Sequence, residues 1–176
     1  MKKILSLMVI GLLACEQPAP PIADKAATTE TAAADESGPL TQGANHIGFA
    51  VSDLTASTEF FTNILEWNEV GGNPSYPSRF VSDGQIFVTL WQTNQDEPAI
   101  SFNRKTNVGL HHFAITVPDL ETLDVLHERF QNAANVKVEF APEFLGGGPT
   151  THMMIREPSG LRLEFIVPGG KRRASK

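Results

Sequence analysis

Two histidines open the same nine-residue phrase. His46-Ile47-Gly48-Phe49-Ala50-Val51-Ser52-Asp53-Leu54 returns 66 residues later as His112-Phe113-Ala114-Ile115-Thr116-Val117-Pro118-Asp119-Leu120. The shared pattern is histidine, apolar, small, apolar, small, valine, serine or proline, aspartate, leucine. A neutral imidazole is a good donor to divalent transition metals. Two copies of one module, each offering an imidazole from an equivalent place, are a natural way to build a metal site between them. The chain has five histidines and a single cysteine, Cys15, which stands far from the repeat. Any metal there must therefore use His, Asp or Glu.

A repeat of this length is a whole supersecondary module, not a solenoid unit. Residues 45–52 alternate as a strand, with Ile47, Phe49 and Val51 on one face and His46, Gly48 and Ala50 on the other. Asp53 reads as an N-cap, and residues 54–65 carry Leu54, Phe60, Phe61 and Ile64 at helical spacing. Gly71-Gly72-Asn73-Pro74 reads as a turn. Short strands are expected near residues 79–82 and 85–92, joined by the hairpin signal Asp83-Gly84. The second copy gives a strand at 110–117, a helix capped by Asp119 and running to about 131, and strands at 136–140, 150–156 and 161–167. Pro158-Ser159-Gly160 turns into the last of these. The expected fold class is α+β, with two βαβββ modules forming a curved, mostly antiparallel sheet around a cavity and helices outside.

The ends of the chain read differently. Residues 1–14 have a basic start and a short apolar run, too short to span a bilayer, which reads as a signal peptide. The tetrad Leu12-Leu13-Ala14-Cys15 resembles the bacterial lipobox, in which the cysteine becomes the lipidated first residue. This implies lipidation at Cys15 and the periplasmic face of the envelope, and Glu16 after the cysteine favours the outer membrane. A mature domain without a thiol suits an oxidising compartment. Residues 15–43 are rich in Ala, Pro, Thr and acidic residues and are expected to be a disordered tether. Residues 44–168 form one domain, with modules at about 44–92 and 109–168, and 169–176 are a basic tail. The net charge of −6 argues against nucleic acid as a partner.

Three segments carry a specific likeness: Asn45 through Leu54, His111-His112-Phe113-Ala114, and Glu157-Pro158-Ser159-Gly160-Leu161-Arg162-Leu163-Glu164-Phe165. They resemble the vicinal oxygen chelate superfamily, which includes glyoxalase I, extradiol dioxygenases, fosfomycin-resistance enzymes and bleomycin-binding proteins. The resemblance spans the folded region and implies two modules around a metal cavity. It also implies that modules can be exchanged between subunits of a homodimer.

Face parity selects the candidate site. His46 and His112 stand on open faces beside small residues. In the last strand Leu161, Leu163, Phe165 and Val167 face one way, and Arg162, Glu164 and Ile166 the other. A glutamate in the middle of an apolar strand calls for a partner. His46, His112 and Glu164 are thus the expected metal ligands, a set that suits Fe, Mn, Zn or Ni. Phe87, Thr89 and Trp91 are expected to face the cavity as substrate-binding residues. Thr89 falls where the resemblance places a glyoxalase carboxylate, which points to a three-ligand pattern. His152 is a candidate acid or base. His111 has the wrong parity and is given a structural role, and His127 a surface position. The expected function is a divalent-metal-dependent enzyme, dioxygenase-like or lyase-like, acting on a small substrate that chelates through two oxygens. The alternative is a small-molecule-binding module without catalysis. A third reading is a structural lipoprotein with a vestigial site.

Overall fold

The computed structural model describes residues 39–169. The signal-like start, Cys15, most of the expected tether and residues 170–176 lie outside the described residues.

The described chain is an α+β fold of two four-stranded mixed sheets. The first module comprises β1 (Ile47–Val51), α1 (Leu54–Glu59), β2 (Asn68–Asn73), β3 (Ser78–Ser82) and β4 (Phe87–Gln92). The second comprises β5 (Phe113–Thr116), α2 (Leu120–Asn132), β6 (Lys137–Phe144), β7 (Thr151–Arg156) and β8 (Arg162–Val167). The sheet orders are β1-β4-β3-β2 and β5-β8-β7-β6. In each, the first strand pairs parallel with the last, and the other pairings are antiparallel.

Local chemistry explains the elements. Asp53 accepts from the Ala56 amide at 2.9 Å, and Asp119 accepts from the Thr122 amide at 2.9 Å, so both copies start their helix with the same cap. The first helix does not run evenly to residue 65. Thr58 and Thr62 hydroxyls donate to the carbonyls of Leu54 and Thr58, competing with the regular ladder. At Phe60–Ile64 the helix widens into a π turn, closed by the Leu65 amide on the Phe60 carbonyl at 3.2 Å. Arg129 of α2 then donates to the Ile64 carbonyl at 2.9 Å and pairs with Glu66 at 2.8 Å.

Gly71, Gly72 and Asn73 are strand residues, not the turn expected of them. They end β2, which pairs with β3 across a register shift between Glu69 and Gly71. Glycine suits such a bulge and a close backbone approach. A side chain at Gly72 would come within 2.5 Å of the Ser78 carbonyl oxygen.

One continuous core joins the modules. Phe49, Val51, Phe60, Phe61, Val88 and Leu90 of the first are buried with Ile115, Leu123, Phe130, Leu163 and Phe165 of the second. Phe60 stacks on Phe130 at 5.9 Å, and Phe49 meets Phe113 at 5.7 Å. A polar strap crosses beside them. The Ser159 hydroxyl accepts from the Ser52 and Asp53 amides at 3.1 and 3.2 Å. Glu157, 2% exposed, accepts from the Ser57 hydroxyl at 2.7 Å and from the Ser159 and Leu161 amides at 2.8 and 3.0 Å. The strap therefore docks the end of β1 against the turn that leads into β8.

Candidate functional site

Glu164 is the centre of the site. It lies on β8, opposite Ala114 of β5 and Met154 of β7, and is 7% exposed. A carboxylate this deep is costly unless partnered. Its Oε2 lies 3.1 Å from His112 Nε2, and its Oε1 is in short contact with His152 Nδ1. His152 is itself buried and packs its ring on Phe140 at 5.0 Å. On the far side of His112, its Nδ1 lies 2.8 Å from His111 Nδ1. One of these two nitrogens donates and the other accepts, so His111 orients the ring of His112. The structural role expected of His111 takes this form. Both histidines precede β5, and the strand's alternation does not bind them there.

A basic cluster borders these groups. Arg162, two residues along β8 from Glu164, donates through Nε and Nη2 to Glu139 at 2.9 and 2.7 Å, and through Nη1 to the His111 carbonyl at 3.3 Å. Arg156 pairs with the other Glu139 oxygen at 2.7 Å. Burial pushes the Glu139 carboxylate up, but the bonded Arg162, with Arg156 and Arg104 beyond it, outweighs this and holds it below the usual range. Lost hydration, then the Arg162 charge, then His112 and Arg104, hold the His111 imidazole below its ordinary pKa.

The first module presents the matching face. Gly48 is opposite Thr89 in register, as Ala114 is opposite Glu164, so Thr89 occupies the twin position of Glu164. Its Oγ1 accepts from Trp91 Nε1 at 2.9 Å. Phe87 and Trp91 are half-buried, on the face expected of them, and two further aromatics join them. Phe80 packs on Phe87 and Trp91 at 5.7 and 5.8 Å, and Tyr76 packs on Trp91 at 5.0 Å. Sequence reasoning missed both, although Phe80 could have been found by pairing β3 with β4, since it stands opposite Thr89.

His46 is exposed on the same open face. Its Nδ1 lies 2.8 Å from Asn45 Oδ1, and its ring meets the edge of Phe87 at 6.1 Å. It opens β1 at the end remote from the Ser159 strap, whereas His112 precedes β5 on the strap's side. The structure thus brings His112, Glu164 and His152 together and places His46 apart from the bonds they make. His127 is half-buried on α2.

The donor set can be tested against a divalent ion. Donors at about 2.1 Å from one ion and at right angles to each other are separated by about 3 Å. The 3.1 Å between His112 Nε2 and Glu164 Oε2 fits that spacing. Among the described residues, no group of three or more His, Cys, Asp or Glu side chains is gathered closely enough to hold a metal. The fitting part is the His112–Glu164 pair.

Comparison with known proteins agrees with this architecture. The chain is 27% identical over 128 residues to a catechol-2,3-dioxygenase of Bacillus subtilis (strain 168). That match covers 69% of this chain and 40% of the dioxygenase, so the chain spans well under half of that relative. A glyoxylase/bleomycin resistance protein/dioxygenase domain from Frankia sp. EAN1pec superposes with a TM-score of 0.61 at 24% identity, covering 76% of this chain and 96% of that one. A mutant fosfomycin resistance protein, FosX, from Listeria monocytogenes, solved with Mn(II) and 1S,2S-dihydroxypropylphosphonic acid, superposes with a TM-score of 0.57 at 17% identity, covering 75% and 93%. These two structures share the fold. The family model of the Glyoxalase/Bleomycin resistance protein/Dioxygenase superfamily matches residues 43–165, from before β1 into β8, and the chain belongs to that superfamily.

Proposed function

We propose that this protein is a divalent-metal-dependent enzyme, dioxygenase-like or lyase-like, that acts on a small substrate chelating through two neighbouring oxygens. The observation that carries this reading is the buried Glu164 carboxylate, held 3.1 Å from His112 and oriented from behind by His152. His112 and Glu164 would hold the ion; His46, the third ligand expected from the repeat, stands apart from them in this chain. When bound, such an ion supplies Lewis acidity to the two substrate oxygens, or dioxygen chemistry if it is iron. The remaining work belongs to the chain. His152 fixes one carboxylate oxygen and is the candidate acid or base. Phe87 and Trp91 offer flat apolar surface to the substrate, and Thr89 keeps its twin position free of a second carboxylate. The catechol-2,3-dioxygenase relative and the Mn(II)-bound FosX support an oxygen-chelating chemistry.

Equilibrium dialysis against Fe(II), Mn(II), Zn(II) and Ni(II) in turn tests the assignment. His112→Ala and Glu164→Ala each weaken metal binding by at least tenfold, and Thr89→Glu preserves or tightens it by supplying a carboxylate at the twin position. Variants that bind as wild type does would remove His112 and Glu164 from the site.

The second reading is a binding module without catalysis. It is favoured by His46, whose ring is bonded to Asn45 and stands apart from Glu164. Ligand binding in the presence of a chelator, with no metal retained on dialysis, selects it.

We also propose that Cys15 carries a lipid that holds the domain at the periplasmic face of the envelope. A Cys15→Ser variant loses lipid labelling and no longer sediments with membranes. Unchanged labelling contradicts the anchor.

A further inference from the structure

The connector between the modules, residues 93–112, carries apolar side chains into water. Ile100 is 94% exposed, Val108 107% and Leu110 46%. All three border one hollow beside the open face of β1, so they form a continuous patch and not scattered surface residues. Bulky apolar surface gathered in this way marks a place of contact with another molecule.

The segment that carries the patch is built as a stable tip. The Asn103 carbonyl accepts from the Thr106 and Asn107 amides at 3.1 and 2.8 Å. The Asn103 side chain accepts from the Lys105 amide at 3.0 Å, and the Asn107 side chain from the Asn103 amide at 2.8 Å. Behind the tip, the Phe102 ring lies so close to Gly109 that a β-carbon there would come within 2.8 Å of it. Backbone amides bonded within the tip lower the cost of taking it out of water.

Arg104, half-buried, and Lys105, exposed, stand at this tip. Neither side chain makes a hydrogen bond or an ion pair among the described residues. From Pro98 to Pro118 the chain has no aspartate or glutamate, although its net charge is −6. The tip is therefore a cationic point on an acidic protein. A partner for it must offer apolar and anionic character together. A second copy, meeting it about a twofold axis, would set these cations against their own kind. A bilayer with anionic headgroups meets both demands, because apolar side chains enter the boundary below the headgroups while cations stay at the phosphates.

We propose that the tip of residues 99–110 docks on an anionic phospholipid surface, with Ile100 and Val108 inserted and Arg104 and Lys105 on the headgroups. So few groups bind weakly alone. The lipid proposed on Cys15 would hold the tip at high local concentration beside such a surface, but the contact itself does not require it.

The test uses the full chain with Cys15→Ser, which has neither an acylation site nor another thiol. Val108→Cys in that background takes a single nitrobenzoxadiazole label, and vesicles of phosphatidylcholine with about 30% phosphatidylglycerol are titrated in. Emission from the label rises and shifts to the blue, and a quencher on the lipid acyl chains reduces it. The same label at Asp124→Cys, exposed on α2, does not respond. Arg104→Gln together with Lys105→Gln raises the lipid concentration at half-response by about tenfold or more. Ile100→Ser raises it by about fivefold or more. An unchanged Tm confirms that the variants are folded. No response at Val108→Cys, an equal response at Asp124→Cys, or a midpoint unmoved by the arginine and lysine changes overturns the proposal. Pure phosphatidylcholine as effective as the charged mixture also overturns it. So does a response that follows protein concentration without lipid, which would identify a second copy as the partner. Because this chain cannot be acylated, the outcome is separate from that of the lipid-labelling test on Cys15.

Discussion

Glu164 depends on its two imidazole neighbours. A buried carboxylate with one partner removed retains the cost of its lost hydration without the compensating bond. His152→Leu is of similar volume but strips the contact to Oε1. It should therefore lower stability by about 1–3 kcal/mol in urea denaturation, while Glu164→Gln, whose amide still bonds to imidazole, costs less. Equal stability of His152→Leu and wild type would show that His152 does not hold the carboxylate. Alternation along a strand was enough to place Glu164, Thr89, Phe87 and Trp91 on the open face, because a period of two admits only two registers. It was not enough for Tyr76, which follows β2 in a turn. It put His46 on the right face but was silent on which end of β1 meets the second module. That is decided by Ser159, 107 residues from the Ser52 amide it accepts.

At the scale of elements, the turn before β8 does more than reverse the chain. Burial pushes the Glu157 carboxyl above its ordinary value near 4.5, against the pull of the Ser57 hydroxyl and the Leu161 and Ser159 amides. A raised folded-state pKa means that the protonated form fits the fold better. Its contribution to stability is complete below the ordinary glutamate pKa and is lost as pH rises through the raised value. Glu157→Gln removes that dependence. The Tm of the variant minus that of wild type should therefore increase from pH 4 to pH 8. A difference that is flat or falls would contradict the burial argument. The turn itself was legible from Pro158-Ser159-Gly160, and both helix starts from Asp53 and Asp119. The first module's β2 was not located, because its glycines read as a turn when taken without their partner strand. The widening at Phe60–Ile64 was also hidden, since Thr58 and Thr62 act through hydroxyl bonds that hydrophobic periodicity does not register.

The whole molecule was the most legible level. A phrase repeated at 66 residues specifies a repeated module, and two modules with apolar inner faces must share a core. The activity is less legible, because one fold hosts many chemistries and the deciding groups are few. Here they are a carboxylate between two imidazoles in one module, a threonine at its twin position in the other, and an arginine cluster beside them. The account stands or falls on whether these residues take up metal. Elemental analysis of protein purified without oxygen and dialysed against Fe(II), Mn(II), Zn(II) and Ni(II) in turn measures this directly. The account predicts close to one divalent ion per two-module site for at least one of these metals, and a large loss in Glu164→Ala. Metal at background level for all four in the wild-type protein would contradict it.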